Sequence, residues 1–233
     1  MQRISSLIDK RDDDYRENHR HNRGLVSELR ERQQTARHVR PERDRERLRR
    51  QNKMFVRDRI EALLDPGTPF LELSTLAGNM AYDGEVPGAA QVTGIGIVSG
   101  KEVIVHADDA SVKGGAWYPL SVKKIVRALD IAIENRLPVV HLCDSAGGFL
   151  PLQAQFFADR YFAGRIFRNQ SILSKMGVPQ VAVVDRRFCR HHLVERRVVL
   201  VEVADLKAAL ALFDVDFVVV SESFKLAGEP GVS

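Results

Sequence analysis

The sequence predicts an α/β layered fold with βαβ crossovers, preceded by a charged helical arm. Three observations carry this prediction. Short β-branched runs alternate with segments of helical period, glycine-rich loops mark the junctions between them, and the chain opens on a charge-dense stretch poor in aromatics. With 233 residues, 44% of them apolar, the chain can bury a full core.

Residues 1–52 form the arm. The first 50 residues hold 15 Lys and Arg against 10 Asp and Glu, so the net charge of +4 resides there and the remainder is close to neutral. In RERQQTARHVRPERDRERLRRQNK the acids interleave with the bases, and Leu25, Val26, Leu29 and Leu48 are the few apolar anchors in this region. Interleaved charge favours a solvated helical arm that docks on a partner or on the domain, and argues against nucleic acid as a ligand.

A first domain of the layered type is expected over residues 53–184. Val56, Ile60, Leu63 and Leu64 recur at helical spacing, and Asp65-Pro66-Gly67 stops that helix. The stretch AAQVTGIGIVSGKEVIVHADD reads as two strands joined at Ser99-Gly100, a hairpin signal. Gly94, Gly96 and Gly100 lack dinucleotide-loop spacing and lead into another strand, so that motif is rejected. SVKGGAWYPLSVKKIVRALDIAIENRLP reads as a glycine loop followed by a helix, with Val122, Ile125, Val126, Leu129, Ile131, Ala132 and Ile133 on its apolar side.

The stretch LPVVHLCDSAGGFLPLQ then holds a strand, apolar on both faces, that runs into a turn of small residues. Asp144 and Ser145 are turn and cap types, and Ala146, Gly147 and Gly148 let a backbone approach a neighbour. Phe156, Phe157, Tyr161, Ile166, Phe167, Ile172 and Leu173 predict a core-facing helix over 153–175, which sets the glycines at a strand-to-helix junction where N–H groups point outward. A ligand-free βα turn is the competing reading of this stretch. VPQVAVV is the next strand.

Several function classes are excluded. No window is apolar enough to span a membrane, and the start MQRISSLIDKRDDDYRE is charged where a signal peptide is apolar; Asp9, Asp12, Asp13 and Asp14 also argue against a transit peptide, so a cytoplasmic protein is expected. Cys143 and Cys189 form neither a metal spacing nor a disulfide framework, CRHH at 189–192 stands without a second cluster, and no metal site is predicted. No nucleophile elbow, zinc helix or phosphate loop occurs, and the histidines are scattered. Two glycine-rich loops remain, and their natural tool is stabilisation of an oxyanion by backbone N–H groups.

The segments DRIEALLDPGTPFLELSTLAG, VTGIGIVSGKEVIVHADDASVKGGAWYPLSVKKIVRALDIAIENRLPVVHLCDSAGGFLPLQ and FAGRIFRNQSILSKMGVPQVAVV resemble the N-terminal half of the carboxyltransferase (beta) subunit of biotin-dependent acyl-CoA carboxylases, of the methylcrotonyl-CoA or propionyl-CoA type. The resemblance runs from about residue 57 to 184. It implies a crotonase-like layered fold, acyl-CoA as substrate, and carboxybiotin supplied by a partner biotin carboxylase/biotin carrier (alpha) subunit. It further implies a homo-oligomer once the chain is completed, and no nucleic-acid or membrane partner.

What the resemblance implies for the site follows residue by residue. The family turn Asp-Ser-Gly-Gly-Ala stands here as Asp144-Ser145-Ala146-Gly147-Gly148, so Ala146, Gly147 and Gly148 are the expected catalytic backbone positions, with Ala146 and Gly147 offering oxyanion N–H groups. Alanine at 146 matters only if that position needs positive φ. Val112, Lys113, Gly114 and Gly115 would wall the acyl-CoA site, and Lys113, Lys123 and Lys124 are candidates for CoA phosphates.

The resemblance stops after Val184, and residues 185–233 match nothing recognised. Their composition predicts a helix over 205–213 and a strand over 217–220. Lacking the C-terminal half, a truncated or frameshifted product with little activity alone is the expectation. The competing readings are a non-catalytic fragment that binds acyl-CoA or a subunit, and a self-sufficient hydratase or isomerase. The last is disfavoured because Asp144 precedes its loop and Asp159 lies well after it.

Overall fold

The computed structural model describes residues 8–157, 159–185, 199–200 and 217–222. The chain divides in sequence into two compact units between Val39 and Arg40. In the first, helix α1 (Asp13–His38) starts at Asp12, whose side chain accepts the Asp14 N–H at 3.2 Å. Asp13 and Asp14 in its first turn and Arg37 and His38 in its last complement the helix dipole. Leu25, Val26 and Leu29 are exposed on it.

The second unit begins with helices α2 (Glu42–Arg50) and α3 (Val56–Leu63), so residues 40–52, expected in the arm, belong with the layered fold. Strands β1 (Leu71–Leu73), β2 (Gln91–Val98) and β3 (Lys101–Asp108) are antiparallel neighbours. The predicted hairpin turns at Ser99 and Gly100, both at positive φ, and the Asp65 carboxylate accepts their N–H groups at 2.9 and 2.7 Å. The stop signal of α3 thus also pins the hairpin.

Helix α4 (Pro119–Asn135) crosses over to β4 (Val139–Cys143), and α5 (Ala163–Lys175) to β5 (Gln180–Asp185), giving parallel pairs β3–β4 and β4–β5. Strands β6 (Val199–Leu200) and β7 (Phe217–Glu222) continue the parallel part, with β7 beside β5. Among the described residues the sheet order is β1-β2-β3-β4-β5-β7-β6. The strand expected at 217–220 lies within β7, whereas the helix expected over 205–213 falls outside the described residues.

Alternation along β3 and β4 builds two cores. Val103, Val105, Ala107, Val140 and Leu142 face α3, where they meet Val56, Ile60 and Leu63. Ile104 and Val139 face α4 and α5, against Val122, Ile125, Leu129, Ile166 and Leu173. The expected apolar side of α4 is buried at Val122, Ile125, Val126, Leu129 and Ala132, with Ile131 and Ile133 partly covered.

One expected element is shorter than predicted. Helix α5 starts at Ala163, and a 3-10 segment (Leu150–Gln155) precedes it in place of continuous α-helix. Asp159 is the reason, because its carboxylate accepts the N–H groups of Tyr161 and Phe162 at 2.7 and 2.8 Å and offers the backbone a turn. Phe157, Tyr161 and Phe167, expected in the core, are exposed, while Phe156 is buried. The 146–148 turn consequently opens a 3-10 segment and not an α-helix.

Candidate active site

Two glycine-bearing loops leave neighbouring parallel strands, 109–115 after β3 and 144–149 after β4, and the structure clasps them together. Ala146 donates its N–H to Gly114 O at 3.0 Å, and the Ser145 hydroxyl donates to Gly115 O at 2.7 Å. Trp117 flanks the turn from the other side, donating its N–H to Gly147 O at 2.9 Å and accepting the Phe149 N–H at 2.8 Å. The seven residues expected to form an oxyanion turn and an acyl-CoA wall are therefore parts of one substructure.

Each expected position has a distinct place in it. Gly147 adopts φ 93°, while Ala146 stays out of the positive-φ region, so alanine is accommodated at 146 without strain. The Ala146 N–H is engaged by Gly114, a clamp between loops and not a free donor. Gly147 N–H is held by Ser145 Oγ at 3.0 Å. Gly148 and Gly114 donate to no group among the described residues, and Gly148 is exposed. Val112 is buried beneath, Gly115 lies against Asp144, and Lys113 bonds Glu85 at the rim.

Of the three lysines expected near CoA phosphates, Lys124 is corrected by burial, while Lys113 and Lys123 are exposed. Lys124 Nζ is buried and donates to Gly88 O at 3.0 Å and Gln91 O at 2.7 Å, which commits it to the turn before β2 and removes it from any phosphate. Its amine is pushed down to about 8 by burial. Lys123 lies 5.5 Å from the Phe162 ring centroid.

Below the loops lies an apolar floor of Val86, Ala90, Val112, Ala116 and Tyr118, with Tyr82, Phe149 and Leu152 at its edges. Tyr118 and Phe149 stack with centroids 4.6 Å apart. Phe149 roots the exit of the turn in this cluster, while Ala146, Gly147 and Gly148 are exposed.

Basic residues from 40–59, read in the sequence mainly as solvated, anchor the loops. Arg40 is buried, donating to Asp109 at 2.8 Å and to the Ser111 hydroxyl at 3.1 Å, and Arg47 donates to Ala110 O at 2.9 Å. Lys53 forms an ion pair with Asp144, with Arg59 4.0 Å from the same carboxylate. The signal that could have found Arg40 is HADD, whose final carboxylate ends an apolar strand and requires a partner, and Asp144 at the end of the next strand is the corresponding signal for Lys53.

Asp108, the last residue of β3, is buried and accepts Trp117 Nε1–H at 2.9 Å and the Asp144 N–H at 3.2 Å. Burial raises its carboxyl to about 6, opposed by those hydrogen bonds and by Arg59. Behind it, His106 and His141 meet through their Nδ1 atoms at 3.1 Å. Burial lowers His141 to about 4, and burial with His141 nearby lowers His106 well below the usual histidine range, so both are neutral at pH 7. The Cys143 thiol is pushed up to about 12 by burial, which disfavours its thiolate. No group of three or more metal-ligating side chains occurs among the described residues.

The described geometry is a layered α/β sheet whose strand ends present backbone donors over an apolar floor, without a side-chain nucleophile. Residues 47–188 match the carboxyl transferase domain family, and the chain belongs to it. It is 49% identical over 162 residues to the biotin-dependent 3-methylcrotonyl-coenzyme A carboxylase beta1 subunit of Mycobacterium tuberculosis, covering 70% of this chain and 31% of that protein. It is 47% identical over 182 residues to the probable mitochondrial methylcrotonoyl-CoA carboxylase beta chain of Drosophila melanogaster, covering 78% and 32%. Among solved structures, the beta subunit of P. aeruginosa geranyl-CoA carboxylase superposes with a TM-score of 0.68 at 36% identity, covering 77% of this chain and 34% of that one. Transcarboxylase 12S shares the fold at a TM-score of 0.53, covering 70% and 32%. The fold is crotonase-like, and the chain spans about a third of the length of these relatives. No helix among the described residues is long and apolar enough to cross a membrane.

Proposed function

We propose that the chain carries the acyl-CoA-binding half of a biotin-dependent carboxyltransferase, with a methylcrotonyl-CoA-like thioester as substrate. The observation that carries this reading is Gly148, an exposed residue whose N–H donates to no group among the described residues, on a turn clasped to a second glycine loop beside an apolar cluster. Removing a proton from the γ-methyl of such a conjugated thioester spreads negative charge through the double bond onto the thioester oxygen. A preorganised N–H donor beside that oxygen is worth roughly 3 kcal/mol in the transition state.

In this reading Gly148 supplies one donor, and Gly147 supplies a second by releasing Ser145 Oγ. Gly114 faces the acyl-CoA from the other loop, with Val112, Lys113 and Gly115 completing that wall. Ala146 holds the loops in register. The carboxyl group, and the base for the substrate proton, come from carboxybiotin brought by a biotin carboxylase/biotin carrier (alpha) subunit. That division of labour accounts for a site whose described histidines are buried and neutral. The exposed Leu150, Phe157, Tyr161 and Phe167 offer apolar surface on which a second copy or a partner subunit would seat.

Calorimetric titration with 3-methylcrotonyl-CoA tests the reading, beside a Gly147→Val variant. A Cβ at 147 meets no atom within 4 Å, yet φ 93° is closed to a β-branched residue, so the variant disturbs the turn without crowding the core. Saturable binding lost in Gly147→Val is the expected result. Failure of the unmodified chain to bind overturns the reading, and binding without carboxyl transfer when the carrier is supplied assigns acyl-CoA binding alone.

A further inference from the structure

We propose that Asp108 is the positioning residue of this site: one buried carboxylate fixes both limbs of the 144–149 turn and so sets where Gly147 and Gly148 present their N–H groups. The inference rests on the acyl-CoA reading for its functional meaning.

The geometry is specific. One oxygen, Oδ2, accepts the Asp144 N–H at 3.2 Å, at the point where the chain leaves β4 and enters the turn. The other, Oδ1, accepts Trp117 Nε1–H at 2.9 Å. Trp117 in turn holds the far limb through its own backbone, at Gly147 O and Phe149 N. Gly148 forms the bridge to Trp117 and sits between those two bonds. Entry and exit of the turn thus each carry a tether back to one side chain in a strand, beside the clasp to Gly114 and Gly115, and Gln91 Nε2, 3.3 Å from Oδ1, helps hold that side chain in place.

A carboxylate suits this task because it accepts from two donors at once, and an N–H bond to a charged acceptor is the stronger kind. Asn offers one oxygen and presents an NH2 to the second N–H, while Ala offers neither. A side chain whose only role is to fill the space would be replaced by Asn without local consequence.

Native-state amide exchange on the full chain, without ligand, tests the positioning directly. In Asp108→Ala the amides of Asp144, Ala146 and Phe149 are expected to exchange about tenfold faster, as the loss of one or two hydrogen bonds implies. In Asp108→Asn the increase is smaller, a partial rescue, and the amides of Val103 and Val105 in β3 keep their protection in both variants. Turn amides that stay as slow as in the unmodified chain overturn the proposal, as does acceleration of turn and β3 amides in parallel. If Asp108→Ala does not fold, the same comparison in Asp108→Asn decides. Binding of 3-methylcrotonyl-CoA, measured separately, tests the acyl-CoA reading; its absence leaves the exchange result standing on its own.

Discussion

Gly115 stands against Asp144 so closely that a Cβ at 115 would lie 2.3 Å from the Asp144 carbonyl oxygen. With φ 70° at the same residue, both space and backbone conformation demand glycine. Gly115→Ala is expected to lower stability by about 3 kcal/mol through left-handed strain and forced separation of the loops. Urea unfolding measures this, and a loss under about 1 kcal/mol would show that the loops are apart in solution.

Asp108 holds its proton up to about 6 in the folded chain against an ordinary value of 3.8. The folded state therefore binds the proton more tightly, and stability from this group is full below 3.8 and lost as pH rises to 6. Asp108→Asn carries no such penalty. It is expected to match the parent near pH 3.5 and to be about 3 kcal/mol more stable at pH 7, the whole of the parent's loss over that range. Unfolding free energies of both proteins across pH 3.5–7 check it; a constant difference refutes it.

Lys124 has the opposite sign of dependence. Burial lowers its folded value to about 8 from 10.5, so the unfolded chain binds the proton more tightly and stability rises as pH climbs from about 8 to 10.5. Lys124→Met removes this rise. The parent should gain about 2 to 3 kcal/mol relative to the variant between pH 7.5 and 10.5. Parallel slopes in a urea series would count against a buried Lys124.

Arg40 and Asp109 form an ion pair whose side chains are 3% and 2% exposed. Arg40→Ala leaves Asp109 uncompensated and is expected to cost about 3 to 5 kcal/mol. Replacing both, as Arg40→Met with Asp109→Leu, should recover most of that loss. A single variant as stable as the parent would mean that residues 40–52 are detached from the layered unit.

The fold was legible wherever one period dominated. Hairpin, crossover helix and central strand each carry an unbroken apolar pattern, at 91–108, 119–135 and 139–143. Strand β1 escaped because three residues are too few for periodicity to register. Helix α5 was placed ten residues early because aromatics at mixed spacing mimic a helix face, while the Asp159 turn that interrupts them depends on one side chain. For the site, both glycine loops could be read from composition, but their mutual clasp could not, since it joins a backbone N–H and a serine hydroxyl to carbonyls about thirty residues away. Arg40 and Lys53 were hidden for a different reason: amid so many charges, nothing in their own neighbourhood separates them from the solvated ones, and only the acids at the strand ends point to them.

The link from Lys53 to Asp144 closes a loop of 91 residues, and those from Arg40 to Asp109 and Ser111 close loops of 69 and 71. Such links repay their ordering entropy only after the segments between them are compact. The clasped loops should therefore assemble late along the folding route, after the hairpin and the first crossover have formed. Weakening Arg40 or Lys53 would then speed unfolding far more than it slows folding.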